Sequence, residues 1–236
     1  MHGDCSRLQL GYTAVHMPIR IPTTVVFDCD GTLVDSEEIH AKALEYTLAE
    51  LGVRFTAAQV RAHSAGVANG DFLRRIADEK GFVLPPNAEQ RVEDIAERLI
   101  EHELKLFHGA DLVVRTLAAR GTRLAVASNS SRRMVDQMLR AVQLAPMFGD
   151  RIASRDDVVT GKPAPDVYLH AAGLLNARSE ECLAVEDSVV GVAAAHAAGM
   201  TVVAFRPAST IFAESQLLEA GANVVTTSLA KILSWL

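Results

Sequence analysis

The chain has 236 residues, 49% of them apolar and 22% charged, with a formal net charge of −6 at pH 7. That composition supplies a packed core and excludes a disordered or fibrous chain, while the acidic balance excludes a broad nucleic-acid or anionic-membrane surface. Three scattered cysteines, Cys5, Cys29 and Cys182, show no zinc or disulfide spacing and imply a reducing, cytoplasmic setting.

Residues 1–20 hold neither an apolar run of signal-peptide length nor a helical period, and read as a disordered or extra N-terminal tail, with Met17 as an alternative start. The β-branched run 23–27 reads as a strand buried on both faces. It ends in Asp28-Cys29-Asp30-Gly31-Thr32, a turn after which Ser36 caps a helix. Asp28 and Asp30 therefore stand at a strand's carboxyl end, the edge at which open α/β sheets bind ligands. Two carboxylates gathered there repel each other unless a divalent cation or a shared proton relieves them. Cys29, between them, reads as a small filler without a chemical role. Helical spacing over 37–51, 57–63, 71–79 and 88–106, interrupted by Gly52, Gly66, Gly81 and Pro85-Pro86, predicts an all-helical insertion, with linkers near 33–37 and 105–109.

Beyond residue 108 the pattern alternates: helix 110–119, strand 123–127, helix 132–141, short strand 151–153, helix 166–173, strand 182–185, helix 189–198, strand 201–205, helix 211–219, strand 223–225 and a last helix through 233. Such βα repetition predicts an α/β protein: a doubly wound, parallel-sheet, Rossmann-like core built from 21–35 and 108–236, with a helical cap domain inserted at 36–107. The stretch 188–205 lacks charged side chains but is broken by His196 and Gly199, so it reads as helix then strand, not as a membrane span.

Three more βα junctions carry polar groups. Strand 123–127 runs into Ser128-Asn129-Ser130-Ser131, which offers hydroxyls and free N–H groups to an anion, or simply caps the next helix. Gly161-Lys162-Pro163 holds one ammonium on stiff backbone, where a surface lysine is the plainer alternative. Strand 182–185 leads into Glu186-Asp187-Ser188, a second acidic pair suited to a hard, oxygen-liganded cation such as magnesium, or again a helix cap.

Taken together in this chain order, Asp28/Asp30, Ser128, Lys162 and Glu186/Asp187 resemble the four motifs of the haloacid dehalogenase-like phosphohydrolases. The resemblance runs from about residue 23 to the C-terminus, and the helical insertion looks like the cap of the phosphoglycolate phosphatase and β-phosphoglucomutase branch. It implies that Asp28 attacks phosphorus to form an aspartyl phosphate, and that Asp30 protonates the leaving oxygen and later activates water. It further implies Mg2+ held by the Asp28 side chain, the Asp30 carbonyl and Asp187 with Glu186 in support, and phosphoryl oxygens cradled by Ser128, Asn129 and Lys162.

Asp30 points to phosphate esters, because dehalogenases need only the first aspartate and the phosphonate-cleaving members carry a different residue in the second place. His40 resembles a hinge histidine of the mutase branch, and His40 and Asn69, with Arg74 and Arg75, are the cap residues expected to bind and choose the substrate. The cap arginine that grips a second phosphate in those mutases is, by contrast, replaced here by Asn69, after Gly66-Val67-Ala68. The reading is a phosphatase of a small phosphate ester, monomeric or weakly dimeric, without nucleic-acid or membrane partners. The alternatives are a sugar-phosphate mutase and a non-catalytic phosphometabolite-binding protein.

Overall fold

A computed structural model of the chain describes residues 23–64 and 69–235; residues 1–20, expected as a tail, and the stretch Gly66-Val67-Ala68 lie outside the described residues. The apolar runs form one parallel sheet of β1 (Thr24–Phe27), β2 (Arg123–Ala127), β3 (Ile152–Ala153), β4 (Cys182–Glu186), β5 (Thr201–Phe205) and β6 (Val224–Thr226), in the order β3-β2-β1-β4-β5-β6. Among the described residues four helices fall in the stretch expected as an insertion after β1: α1 (Glu37–Glu50), α2 (Ala57–Ser64), α3 (Asn69–Lys80) and α4 (Ala88–Glu103). The remaining helices are α5 (Ala110–Ala119), α6 (Arg132–Ala141), the short α7 (Ala145–Phe148), α8 (Asp166–Leu174), α9 (Val189–Ala197) and α10 (Glu214–Glu219). Among the described residues no helix is long and apolar enough to cross a membrane.

Alternation along each strand divides the core in two. Val25, Phe27, Leu124 and Val126 pack on one face with side chains of α5, α6 and α7, Phe27 meeting Phe148 edge to face at 6.3 Å. On the other face Val26, Ala125, Ala127, Ala184 and Ala204 are mostly alanine, which lets α8 and α9 lie close. Full burial of each Val, Leu or Phe side chain contributes about 1.5–3 kcal/mol before entropy is counted. The first cluster continues into the insertion through Leu44, Leu48, Phe72 and Ile95.

The chain steps outward from β1 to β2 and β3, then returns to the far side of β1 as β4. At that reversal the connections leaving β1 and β4 diverge, and the carboxyl ends beside such a reversal are where open α/β sheets bind ligands. The linkers of the insertion meet there too: Val34 and Leu106 form an antiparallel bridge, and Asp35 N–H donates to the Lys105 carbonyl at 2.9 Å. This pairing explains why the helix expected over 88–106 stops at Glu103, since Leu104 turns extended (φ −61°, ψ 135°) to reach the bridge.

Other differences are also local competitions for hydrogen bonds. The helix expected from 211 starts at Glu214, because the Arg206 guanidinium holds the Phe212 carbonyl at 3.0 Å and the Gln216 side chain accepts from Ala213 N–H at 2.8 Å. The last strand begins at Val224 and not 223, since Asn223 Oδ1 takes the Val202 N–H at 2.7 Å. The final helix is a 3-10 turn, Leu229–Ser234. Ser36 occupies the cap position of α1, but its buried side chain makes no capping bond.

Candidate active site

The last ladder bond of β1, Asp28 N–H to the Val185 carbonyl at 2.9 Å, sets Asp28 beside the end of β4. The chain then turns, with Leu33 and Val34 N–H both donating to the Cys29 carbonyl. Gly31 takes φ +85°, and a Cβ there would stand 2.3 Å from Asp187 Oδ2, so only glycine lets the two acidic strand ends approach. Thr32 Oγ1 donates to Asp187 Oδ1 at 3.3 Å. Cys29 is fully buried, and burial together with the neighbouring Asp30 and Asp28 pushes its thiol well up, in keeping with a filler.

Lys162 arrives from the β3–α8 connection with its side chain only 3% exposed, its Nζ lying 2.5 Å from Asp28 Oδ1 and 2.7 Å from Glu186 Oε1. Tyr168 backs it, the ammonium 5.1 Å from the ring centroid and the hydroxyl donating to Glu186 Oε1 at 3.2 Å. The other Glu186 oxygen accepts from Asp187 N–H, Ser188 N–H and Ser188 Oγ. Its oxygens are thus engaged by protein, which makes Glu186 an anchor for its neighbours. Ser188 is the residue that caps α9, accepting from Gly191 N–H at 3.0 Å. A Cβ on Gly191 would fall 1.6 Å from Glu186 Oε1. Because Glu186 is too tightly bonded to move aside, Gly191→Ala is expected to lower stability by about 1–3 kcal/mol, read as a lower thermal midpoint with loss of activity.

Asp30 Oδ2 accepts from Ser128 Oγ at 3.2 Å and Ser130 Oγ at 2.9 Å, so both hydroxyls orient this carboxylate. Ser131, not Ser128, caps α6. The Asn129 amide faces the main chain of Lys162. Of the expected site residues, the structure therefore brings together Asp28, Asp30, Ser128, Lys162, Glu186 and Asp187. His40 lies in the first turn of α1 with a buried, unpartnered Nδ1, and Asn69 opens α3. Among the described residues neither side chain is hydrogen-bonded to the cluster.

Four carboxylates surround one ammonium. Burial pushes the Asp28 carboxyl up to about 8; the Lys162 charge opposes this rise, and Glu186 and Asp30 add to it. Burial, with Glu186 and Asp28, likewise drives Asp187 well above the usual carboxylate range. Oxygens of Asp28, Glu186 and Asp187 lie within 4.8 Å of one another, and Asp28 Oδ2 is buried without any partner. Excess buried negative charge gathered on these three carboxylates is what a hard divalent cation relieves, so the residues fit magnesium.

Thr32, Ser130 and Tyr168 make contacts in the site that the sequence does not assign to them. Ser130 was signalled only by standing in the same hydroxyl-rich turn as Ser128. Tyr168, six residues past Lys162, differs from a core aromatic only in having a charged pair to bond.

Residues 22–199 match the family described as haloacid dehalogenase-like hydrolase. The chain is similar to the 6-phosphogluconate phosphatase of Escherichia coli (strain K12), 31% identical over 77% of this chain and 81% of that protein. It is 32% identical to SUPPRESSOR OF QUENCHING 1 of Arabidopsis thaliana over 89% of this chain, but spans only 20% of that longer protein. A HAD family hydrolase from Deinococcus radiodurans R1, solved with bound phosphate and sodium, superposes with a TM-score of 0.76 at 32% identity, covering 89% of this chain and 93% of the other.

Proposed function

The chain belongs to the haloacid dehalogenase-like hydrolases, and from that premise and its site geometry we propose that it is a magnesium-dependent phosphatase of a small phosphorylated metabolite, sugar phosphates foremost. The observation that carries the reading is Asp28: one oxygen is held by Lys162, and the other is buried without a partner among the described residues. A carboxylate fixed at one oxygen and free at the other is oriented for attack.

In this reading Asp28 Oδ2 bonds to phosphorus while the ester P–O bond breaks. Asp30, aimed by Ser128 and Ser130, gives its proton to the departing oxygen. It then takes a proton from water, which attacks the aspartyl phosphate, releases inorganic phosphate and restores Asp28. Lys162 neutralises charge on the phosphoryl oxygens throughout. Asp28, the Asp30 carbonyl and Asp187, with Glu186 behind them, would hold magnesium, whose charge offsets the repulsion between nucleophile and phosphate.

The insertion, as a cap, argues for water over a sugar hydroxyl as acceptor. A mutase must anchor the distal phosphate of a bisphosphate, and Asn69 has no charge with which to do so. Its neighbours are already engaged: Arg74 with Asp71 at 2.7 Å and Glu89 at 3.0 Å, Arg75 with the His63 carbonyl at 2.5 Å and the Phe72 ring. The test is phosphate release from p-nitrophenyl phosphate and a metabolite panel, expected with magnesium and lost after exhaustive chelation. With β-glucose 1-phosphate and catalytic bisphosphate, isomerisation well ahead of phosphate release would overturn the assignment in favour of the mutase.

A further inference from the structure

We infer that Asn129 is a positioning residue that acts through Lys162 and not a substrate ligand; the inference rests on the phosphatase reading for its catalytic consequence. Lys162 rides on a long connection between β3 and α8 in which only the 3-10 turn Arg155–Asp157 is regular, and Val159 is 90% exposed. Such a segment does not by itself fix the base of a four-carbon side chain. Asn129, at the end of β2, does: its Oδ1 accepts from Lys162 N–H at 2.8 Å and its Nδ2 donates to the Lys162 carbonyl at 3.2 Å.

Both halves of the amide thus engage one residue from both sides, as a neighbouring strand would, which fixes the Lys162 peptide in position and in rotation. With Oδ1 and one Nδ2–H so engaged, the plane of the amide is set by the Lys162 peptide, and only the second Nδ2–H is left over. The close approach depends on Gly161, where a Cβ would lie 2.6 Å from Asn129 Oδ1 and 2.9 Å from Arg155 Cδ. When substrate arrives, the Lys162 ammonium must share its bonds between Asp28, Glu186 and a phosphoryl oxygen, and the peptide anchor is then what keeps it on station.

The experiment uses Asn129→Ala, Gly161→Ala and Lys162→Met, singly and in pairs, in the full chain. Two hydrogen bonds lost from the anchor should lower kcat/KM for p-nitrophenyl phosphate about 5- to 30-fold, a loss that Gly161→Ala shares. In the Lys162→Met background Asn129→Ala should change kcat/KM by less than about two-fold, because the group it positions is gone. Losses that multiply would overturn the inference and make Asn129 a direct contact. Should Lys162→Met not fold, the Asn129→Ala/Gly161→Ala pair decides: a double no worse than the poorer single supports a shared anchor, and multiplied losses overturn it. An activity-free readout separates the two readings. Hydrogen exchange at the Lys162 amide should quicken in Asn129→Ala, with the sheet amides unchanged. Exchange that stays slow there overturns the anchor whatever the kinetics; a wild type without phosphatase activity whose anchor mutant still exchanges faster refutes the phosphatase and supports the anchor.

Discussion

Asp28→Asn is expected to abolish phosphate release, by about 10⁴-fold or more, because an amide oxygen cannot form the aspartyl phosphate. The substitution is nearly isosteric, and its carbonyl can still accept from Lys162, as Asp28 Oδ1 does at 2.5 Å. It also removes an ionisable group from a site where burial already pushes that carboxyl up to about 8. The variant should therefore fold, with a thermal midpoint no lower than wild type when magnesium is absent. Asp30→Asn should fall short of this loss, at about 10²- to 10⁴-fold, since it removes proton transfer and leaves the nucleophile in place. Asp28→Asn with wild-type kcat and unchanged metal dependence would move the nucleophile elsewhere.

Lys162→Met is expected to lower kcat/KM by about 10²- to 10³-fold, through loss of a preorganised charge aimed at the phosphoryl oxygens. It should also destabilise the metal-free protein by about 3–5 kcal/mol at pH 8, because the substitution strips a buried pair of its only cation. The pH dependence has a definite sign. Asp28 titrates near 8 in the fold against an ordinary 3.8, so the folded chain holds a proton that the unfolded chain releases. Its contribution is full below about pH 4 and is lost as pH rises through about 8. Without Lys162, which opposes that upward shift, the loss on raising pH deepens. Thermal unfolding in chelator at pH 5 and pH 8 should accordingly show a larger drop for the variant at the higher pH. An equal drop at both would mean that Lys162 contributes packing alone.

Much of the architecture is carried by local pattern. Strands 123–127 and 201–205 and helices 110–119 and 132–141 fall where apolar period and turn residues put them, because both depend on neighbours only a few residues away. The residue types of the site are equally legible: Asp28, Asp30, Ser128, Lys162, Glu186 and Asp187 all follow apolar β-rich runs or a Gly/Pro-stiffened turn, and parallel strands place such residues on one edge.

What each group does on that edge was decided by partners far away in sequence. Asp28 meets Lys162 across 134 residues, and Ser128 turns to Asp30 across 98. The Asn129 amide, expected on phosphate, bonds the Lys162 peptide, and Glu186, expected in support of the metal, bonds Lys162, Tyr168 and its own turn. The same competition ended the fourth insertion helix at Glu103, where the bridge between Val34 and Leu106 outbid another helical turn. Composition and period set by themselves which segments become strands and helices and which chemical groups stand at their ends. Only the tertiary structure assigns each hydrogen-bonding atom its partner, because a polar atom has few bonds to give and the donors that claim them are brought close by strand order, not by sequence.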